Sequence, residues 1–301
     1  MSRSNVGRIA VVVAIVGLVV GAAIAPTVWD RATEPDGTVA VIELHSTITG
    51  DAATEVVDDL REARQNDTIE AVVLDINSPG GSAAASEQLY LAVKRTQQEM
   101  PVVTSVTGLA ASGSYYMTAP ADHIYVTPAS TVGSVGVRAV VPSGGTPNGE
   151  IVTGPDKGST ATNAEVRQRV EALRRAFVGT VVRERSESLE LTAAELSYAK
   201  VYSGARGVEL GLADSIGGLD TAIQDAADRA ELTDYDIVRM ESPQPSLVSQ
   251  LGLRADGQPA TSASAETQAT FDYQGVDTVQ YLMLHGSLAA PETEVSANES
   301  R

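Results

Sequence analysis

The chain has 301 residues, a net charge of −18 and no cysteine. The lack of cysteine excludes disulfide bonds and thiolate metal sites, and the acidic charge argues against a nucleic-acid partner, whose phosphates need basic surfaces. Acidic excess with few lysines is compatible both with a high-salt habitat and with an ordinary acidic protein, and composition alone does not choose between them.

The first predicted element is a membrane-spanning helix. Residues 9–28 carry no charge, and twenty residues of helix cross about 30 Å, the thickness of the hydrocarbon core. Two arginines precede this run and acidic residues follow it, so we expect the N-terminus in the cytoplasm and the rest of the chain outside. The alternative is a cleaved signal peptide, because residues 23–25 read Ala-Ile-Ala. We predict an uncleaved cytoplasmic stub and anchor over residues 1–29 and a linker over 30–37.

Apolar strands alternate with helices in the next part of the chain, which we predict to be one domain over residues 38–240. The predicted strands cover 39–44, 70–76 and 101–106, and the predicted helices 51–64 and 82–94. Strands that are apolar throughout and separated by helices are typical of parallel sheets covered on both faces. The pattern therefore predicts an α/β fold with a mostly parallel sheet.

Capping boxes mark two later helices, because Thr162 and Glu165, and again Thr192 and Glu195, have the spacing of that motif. A further helix is expected over residues 219–230.

Composition changes after residue 240. Residues 241–301 are rich in Ser, Ala, Thr, Gln and Pro and are predicted to be a mostly disordered tail. Within this tail, residues 279–284 (VQYLML) are apolar. We expect this run to dock on the body as a strand or a helix.

Two glycine-rich loops follow two successive strands, at residues 77–82 and 110–116. A serine at a strand-to-helix turn, such as Ser112, presents its hydroxyl to the crevice at the carboxyl ends of parallel strands. The next amide, of Gly113, lies at a helix N-terminus, which favours developing negative charge. A glycine on the neighbouring loop, Gly81, can supply a second N–H because it has no side chain to block approach. The pair of loops predicts an oxyanion hole.

A nucleophilic serine needs a general base. His123 stands at a probable strand entry and is interpreted as structural, and His45 is a weaker alternative. Lys157 lies in a loop just before the long helix, and a lysine desolvated in a pocket has a lowered pKa and can accept a proton. Lys94 is interpreted as a charge on a helix surface, so Lys200 is the other lysine that is a candidate for the general base.

Together these motifs resemble the signal peptide peptidase A family, the S49 serine peptidases with the ClpP/crotonase-like fold. The matching segments follow one another in order: 77–81, 110–116, 121–125, 132–137, 154–157, 201–205 and 211–217.

The resemblance implies a repeated ββα superhelix, Ser112 as nucleophile and Lys157 as its base. It also implies that Gly81 and Gly113 supply the oxyanion hole, that Ser134 lies beside the dyad and that no metal or cofactor is needed. Such proteins form homo-oligomeric rings or domes, in which serine and lysine can come from adjacent protomers. Their substrates are signal-peptide remnants and other membrane-derived peptides.

This chain departs from the family pattern at two places: Ser114 stands where glycine is frequent, and the segment before Lys157 is short. We predict a membrane-anchored serine endopeptidase. One alternative is a catalytically inactive ClpP-like scaffold that binds membrane proteins, motivated by the short segment. Another is a crotonase-like acyl-CoA enzyme, which shares the fold but is disfavoured by the predicted location outside the cytoplasm.

Overall fold

The computed structural model describes residues 35–141, 162–240 and 280–286. The predicted anchor at residues 9–28 and the proposed base Lys157 lie outside these ranges, as does most of the tail. Within the described ranges, no helix combines the length and the apolar character needed to cross a membrane.

The helices and strands of the described residues follow the predicted alternation. The helices are α1 (Gly50–Gln65), α2 (Ala83–Gln97), α3 (Gly113–Thr118), α4 (Asn163–Glu184), α5 (Ala193–Leu196), α6 (Gly204–Glu209) and α7 (Leu219–Arg229). The strands are β1 (Gly37–Leu44), β2 (Ile69–Ser78), β3 (Gly80–Ser82), β4 (Val102–Ala111), β5 (His123–Val126), β6 (Thr131–Gly133), β7 (Arg138–Val140), β8 (Val201–Ser203), β9 (Ser215–Ile216), β10 (Tyr235–Met240) and β11 (Gln280–Leu284).

The larger sheet has the order β10-β1-β2-β4-β5-β9, and every neighbouring pair along this path is parallel. Off this path, β6 runs parallel to β4 and pairs antiparallel with β8. The prediction of an α/β fold with a mostly parallel sheet is confirmed.

Helices cover both faces of the larger sheet. Successive side chains of a strand point to opposite faces, so each strand packs against helices on both sides. In β1, Ala40 and Ile42 pack in the core cluster that also holds buried residues of α1 and α2. Val39 and Val41 point the other way, into a cluster with the apolar side of α7. The strands are therefore apolar throughout, which is why their sequence runs are continuous rather than alternating.

Helices α4 and α5 begin directly after the N-cap residues that their capping boxes predict. At the start of α4, the Thr162 hydroxyl accepts a hydrogen bond from the Glu165 amide, while the Glu165 carboxylate accepts one from the Thr162 amide. Thr192 and Glu195 form the same pair of bonds at α5. Both capping boxes predicted from spacing are present.

A second, smaller sheet has the order β3-β11-β7, and both pairings are antiparallel. Its central strand comes from the apolar run in the tail, which forms a strand rather than a helix. Met283 pairs with Gly81 of the first glycine-rich loop, and Leu282 pairs both with Ser82 and with Arg138. The tail strand therefore lies against the loop that was expected to help form the oxyanion hole.

Candidate active site

Ser112 occupies the turn between the end of β4 and the start of α3. Its backbone has φ 58° and ψ −118°, a left-handed conformation that is strained for a residue with a side chain. The turn is held by the Ser112 amide, which donates to the Gly133 carbonyl at 2.8 Å, and by the Tyr116 amide, which donates to the Ser112 carbonyl at 2.9 Å. A sharp, strained strand-to-helix turn is the local geometry that exposes nucleophilic serines in other hydrolases.

The helix that follows Ser112 is anchored in the core. Tyr115 is fully buried, and its hydroxyl donates to the Leu212 carbonyl at 2.8 Å. Burial raises the pKa of Tyr115 above its usual value, so this phenol stays neutral. The Tyr116 ring lies 5.0 Å from the Tyr90 ring and packs edge-on against Phe177 at 4.9 Å. These contacts hold the start of α3 in place beside the crevice.

The conformation of the first glycine-rich loop requires glycine at positions 80 and 81, for two different reasons. Gly80 has φ +88°, which a side chain would strain. A Cβ on Gly81 would lie 2.0 Å from the Ile48 carbonyl oxygen, so no side chain fits there. The Ile48 amide donates to the Gly80 carbonyl at 2.9 Å, and the Ser82 amide donates to the Ile48 carbonyl at 2.8 Å. In this ladder the amide of Gly81 points to the opposite side, toward β11.

The two glycine-rich loops are neighbours in space. A Cβ on Gly80 would lie 2.5 Å from the Gly113 amide nitrogen, so the backbones approach closely. The buried Ser114 hydroxyl lies 2.6 Å from the Ser78 carbonyl oxygen and 2.9 Å from that of Ala111. Ser114 thus ties the end of β2 to the end of β4. Sequence reasoning treated Ser114 only as a departure from a glycine, because a single sequence does not reveal which carbonyls its hydroxyl meets.

Ser134 lies on the segment that contacts Ser112. It is buried, has φ 56°, and its amide donates to the Lys200 carbonyl at 2.8 Å. The next glycine, Gly136, has its carbonyl oxygen 3.5 Å from the Ser112 Oγ, a weak hydrogen bond. The Ser134 Oγ lies 3.2 Å from Nδ1 of His285. Sequence reasoning did not find His285 at the site, and the only signal for it was the apolar run that precedes it.

Two of the three lysines lie in described ranges. Lys94 forms an ion pair with Glu184 at 3.1 Å on the surface between α2 and α4, in agreement with its interpretation as a helix-surface charge. Lys200 is exposed, and its Nζ lies 5.8 Å above the ring of Tyr198. Lys200 therefore contributes its backbone carbonyl to the site segment, while its ammonium group stands over an exposed aromatic ring.

The side chains of the other two histidines, His123 and His45, contact residues outside the Ser112 turn. His123 has its Nε2 3.0 Å from the Ser215 hydroxyl, which agrees with a structural role. His45 has its Nε2 3.2 Å from the Asp75 carboxylate. Across the ranges that the structure describes, no group of three or more His, Asp or Glu side chains is arranged to hold a metal ion.

The sequence model of peptidase family S49 matches residues 94–143 and 149–233. These ranges include the Ser112 turn, the Ser134 segment and Lys157. The chain belongs to the S49 peptidase family.

The relatives of this S49 chain include proteins of bacteria and of an archaeon. It is 32% identical to Protease 4 of Salmonella typhi over 66% of its own length and 36% of that protein. It is 32% identical to a candidate protease of Methanocaldococcus jannaschii over 60% of its length and 62% of that protein. A candidate signal peptide peptidase SppA of Enterococcus faecium is 26% identical over 61% of this chain and 58% of the relative. The S49 chain thus spans less than two thirds of the length of each.

Proposed function

We propose that this S49 chain is a membrane-anchored serine endopeptidase with Ser112 as its nucleophile. The observation that carries the proposal is the strained Ser112 turn, which stands beside a second loop whose Gly81 amide points into the same crevice. Strained backbone of this kind clusters at active sites and ligand-binding sites, where the strain is part of the mechanism. Family membership makes peptide hydrolysis the reaction to test first.

In the proposed reaction, the Ser112 Oγ attacks the carbonyl carbon of a peptide bond while its proton passes to Lys157. The amides of Gly81 and Gly113 donate hydrogen bonds to the oxyanion that forms. The C–N bond then breaks, and the leaving amine takes the proton from Lys157. Water, deprotonated by Lys157, hydrolyses the Ser112 ester and releases the second peptide, which restores the free hydroxyl.

The choice of Lys157 rests on two supports. The residue falls in the segment 154–157 that resembles the family, and the family model spans it. The other two lysines have their ammonium groups engaged with Glu184 and with Tyr198. In an assembled homo-oligomer, Lys157 can come from an adjacent protomer, with Ser134 placed beside the dyad.

The proposed substrates are signal-peptide remnants or other membrane-derived peptides with small or apolar side chains near the cut. The name of the Enterococcus faecium relative and the apolar residues on β11 beside the site both favour this class. Residues 9–28 are the proposed anchor in the lipid bilayer, with the N-terminus cytoplasmic and the peptidase domain outside.

The experiment uses the purified full chain in a mild detergent and a fluorogenic peptide copied from the apolar part of a signal peptide. We expect both Ser112→Ala and Lys157→Ala to lower kcat/KM by at least ~10³-fold, as removal of nucleophile or base does in other serine peptidases. Lys200→Ala is the matched control and is expected to keep its activity.

Cleavage that survives Ser112→Ala contradicts the proposal, because the nucleophile would then be another group. Loss of cleavage in Lys200→Ala but not in Lys157→Ala contradicts the base assignment alone.

A further inference from the structure

Strand β11 fills the slot between β3 and β7, directly over the proposed active site. It is the central strand of the smaller sheet, and it pairs with Gly80–Ser82 on one side and Arg138–Val140 on the other. Without it, β3 and β7 would present two unpaired edges that face one another. Such edges accept an extended peptide by hydrogen bonding to its backbone, largely independent of its sequence.

The hydrogen bonds of this sheet place one carbonyl of β11 on the predicted oxyanion donor. The His285 amide donates to the Pro79 carbonyl at 2.9 Å. In an antiparallel ladder, hydrogen-bonded pairs alternate with pairs that are not bonded. Two residues before His285, Met283 opposite Gly81 is therefore a bonded pair. In such a pair the Gly81 N–H donates to the Met283 carbonyl oxygen.

The second predicted donor lies beside the same oxygen. A Cβ placed on Gly80 would be 2.2 Å from the Met283 carbonyl oxygen and 2.5 Å from the Gly113 amide nitrogen, so these atoms are close neighbours. A Cβ on Gly113 would be 3.0 Å from that oxygen. The Met283 carbonyl thus occupies the place where the oxyanion of a bound substrate would form. In this arrangement only 1% of Ser112 is exposed.

Side chains and backbone groups at both ends of β11 hold it in the slot. The Arg169 guanidinium lies 5.1 Å above the ring of Tyr281, a cation–π contact. At the other end, the Arg138 side chain donates to the Gly286 carbonyl at 2.7 Å. Between these ends, Leu282 is only 1% exposed. The segment is therefore seated by apolar burial and by polar contacts, as a bound peptide would be.

We propose that residues 280–286 are an intramolecular competitor that occupies the peptide-binding slot and keeps the peptidase latent. The inference rests on the proposed function, because the slot matters only if Ser112 acts on peptides. A substrate must displace β11 and take its place as an antiparallel strand, with apolar side chains at the positions of Leu282 and Met283. A tethered strand competes at a high effective concentration, so even weak pairing suppresses binding of free peptides.

The first test measures kcat and KM for a free peptide with the full chain and with Leu282→Asp, which places a charge in the buried position. We expect KM to fall about tenfold with kcat unchanged, because the fraction of chains with an open slot rises. Leu91→Asp is the matched control, since Leu91 is 61% exposed on α2. Arg169→Ala, which removes the contact with Tyr281, is expected to lower KM about two- to fivefold.

The second test does not need catalysis. In a Ser112→Ala background, a fluorescent peptide of residues 279–287 is titrated against the full chain with and without Leu282→Asp, and anisotropy is recorded. We expect the Leu282→Asp chain to bind the peptide at least ~10-fold more tightly. Circular dichroism and a urea transition confirm that each variant is folded.

The outcomes separate the two claims. Tighter peptide binding without cleavage in any variant supports the occupied slot and refutes the proposed peptidase function. The competitor proposal is overturned if the active wild type has the same KM as Leu282→Asp and Arg169→Ala and the same peptide affinity as Leu282→Asp. A fall in KM that Leu91→Asp reproduces also overturns it, because the effect would then not come from the slot.

Discussion

The two sheets of this protein differ in how they are built. The larger sheet is parallel except for the pairing of β6 with β8, and its three central strands, β1, β2 and β4, are apolar and covered by helices on both faces. The smaller sheet joins three short segments that are far apart in the chain, and its middle strand comes from a polar tail. The larger sheet and the helices on it hold most of the buried apolar side chains, while the smaller sheet lies beside the Ser112 turn.

This difference indicates that the larger sheet stabilises the fold, whereas the smaller sheet controls access to the Ser112 site. Elements with many buried apolar contacts open only with global unfolding, whereas elements with few such contacts open locally at lower free energy. A strand that must leave the site for substrate to enter belongs to the second class. Four predictions test this difference between the two sheets.

The largest effect is expected at the ion pair that fastens the end of α4 to the larger sheet. Arg185 is only 6% exposed, and its Nη2 lies 2.5 Å from Oδ1 of Asp214. Asp214→Ala leaves this guanidinium buried without its partner, and we expect a loss of about 3–5 kcal/mol in the free energy of unfolding by urea. Glu209→Ala, in the exposed pair with Arg206, is expected to cost less than ~1 kcal/mol. Equal costs would show that burial does not decide the value of these pairs.

Two buried leucines test the comparison directly. Leu89 packs in the main core, and we expect Leu89→Ala to lower the free energy of global unfolding by about 2–5 kcal/mol. Leu282 is equally buried, but on β11. Leu282→Ala is expected to leave the urea midpoint unchanged and to speed hydrogen exchange only around residues 280–286. A global loss of similar size at Leu282 would mean that both sheets unfold together.

A smaller effect is expected at the hydroxyl that joins the two glycine-rich loops. Ser114→Ala removes the hydrogen bond to the carbonyls of Ser78 and Ala111, and a buried unpaired carbonyl costs about 1–3 kcal/mol. Because the loss falls on loops that position the oxyanion donors, we expect kcat to drop about tenfold with little change in KM. Ser46→Ala, at an exposed serine, is the control. A change in KM alone would argue against a positioning role.

The smallest effect is a pH dependence of the free energy of unfolding, which arises from Asp59 on α1. Burial, together with the charges of Glu55 and Glu62, raises the pKa of Asp59 to about 6. The folded chain therefore binds this proton more tightly than the unfolded chain. The resulting stabilisation is complete below about pH 4 and is lost as the pH rises through about 6. We expect Asp59→Asn to stabilise the protein by about 1 kcal/mol at pH 8, a value reduced for solvent screening, and by nothing at pH 4.

That prediction is checked by urea unfolding at both pH values. Asp51→Asn, at the exposed start of the same helix, is the control. A gain from Asp59→Asn that is the same at both pH values contradicts the proton-linked explanation.

Much of the fold could be predicted because its signals are local. Apolar runs predicted β1, β2 and β4, and side-chain spacing predicted both capping boxes. Each of these depends on residues within one turn or one strand of each other. The extension of β4 up to Ala111 was not predicted, because its last residues are small and carry no strand pattern. Their strand conformation depends on pairing with β2 and β6.

The amino-acid sequence alone was enough to predict a serine turn between a parallel strand and a helix, and the glycine loop that follows the neighbouring strand. Glycines, small residues and apolar runs encode these features over short distances, so no distant partner is needed to predict them. Two contacts became visible only in the folded chain: the Ser114 hydroxyl joins the two loops, and Met283 of the tail pairs with Gly81. Those contacts join segments separated by tens to hundreds of residues, and in both of them the acceptor is a backbone carbonyl, which every residue has, so side-chain identity does not reveal the partner.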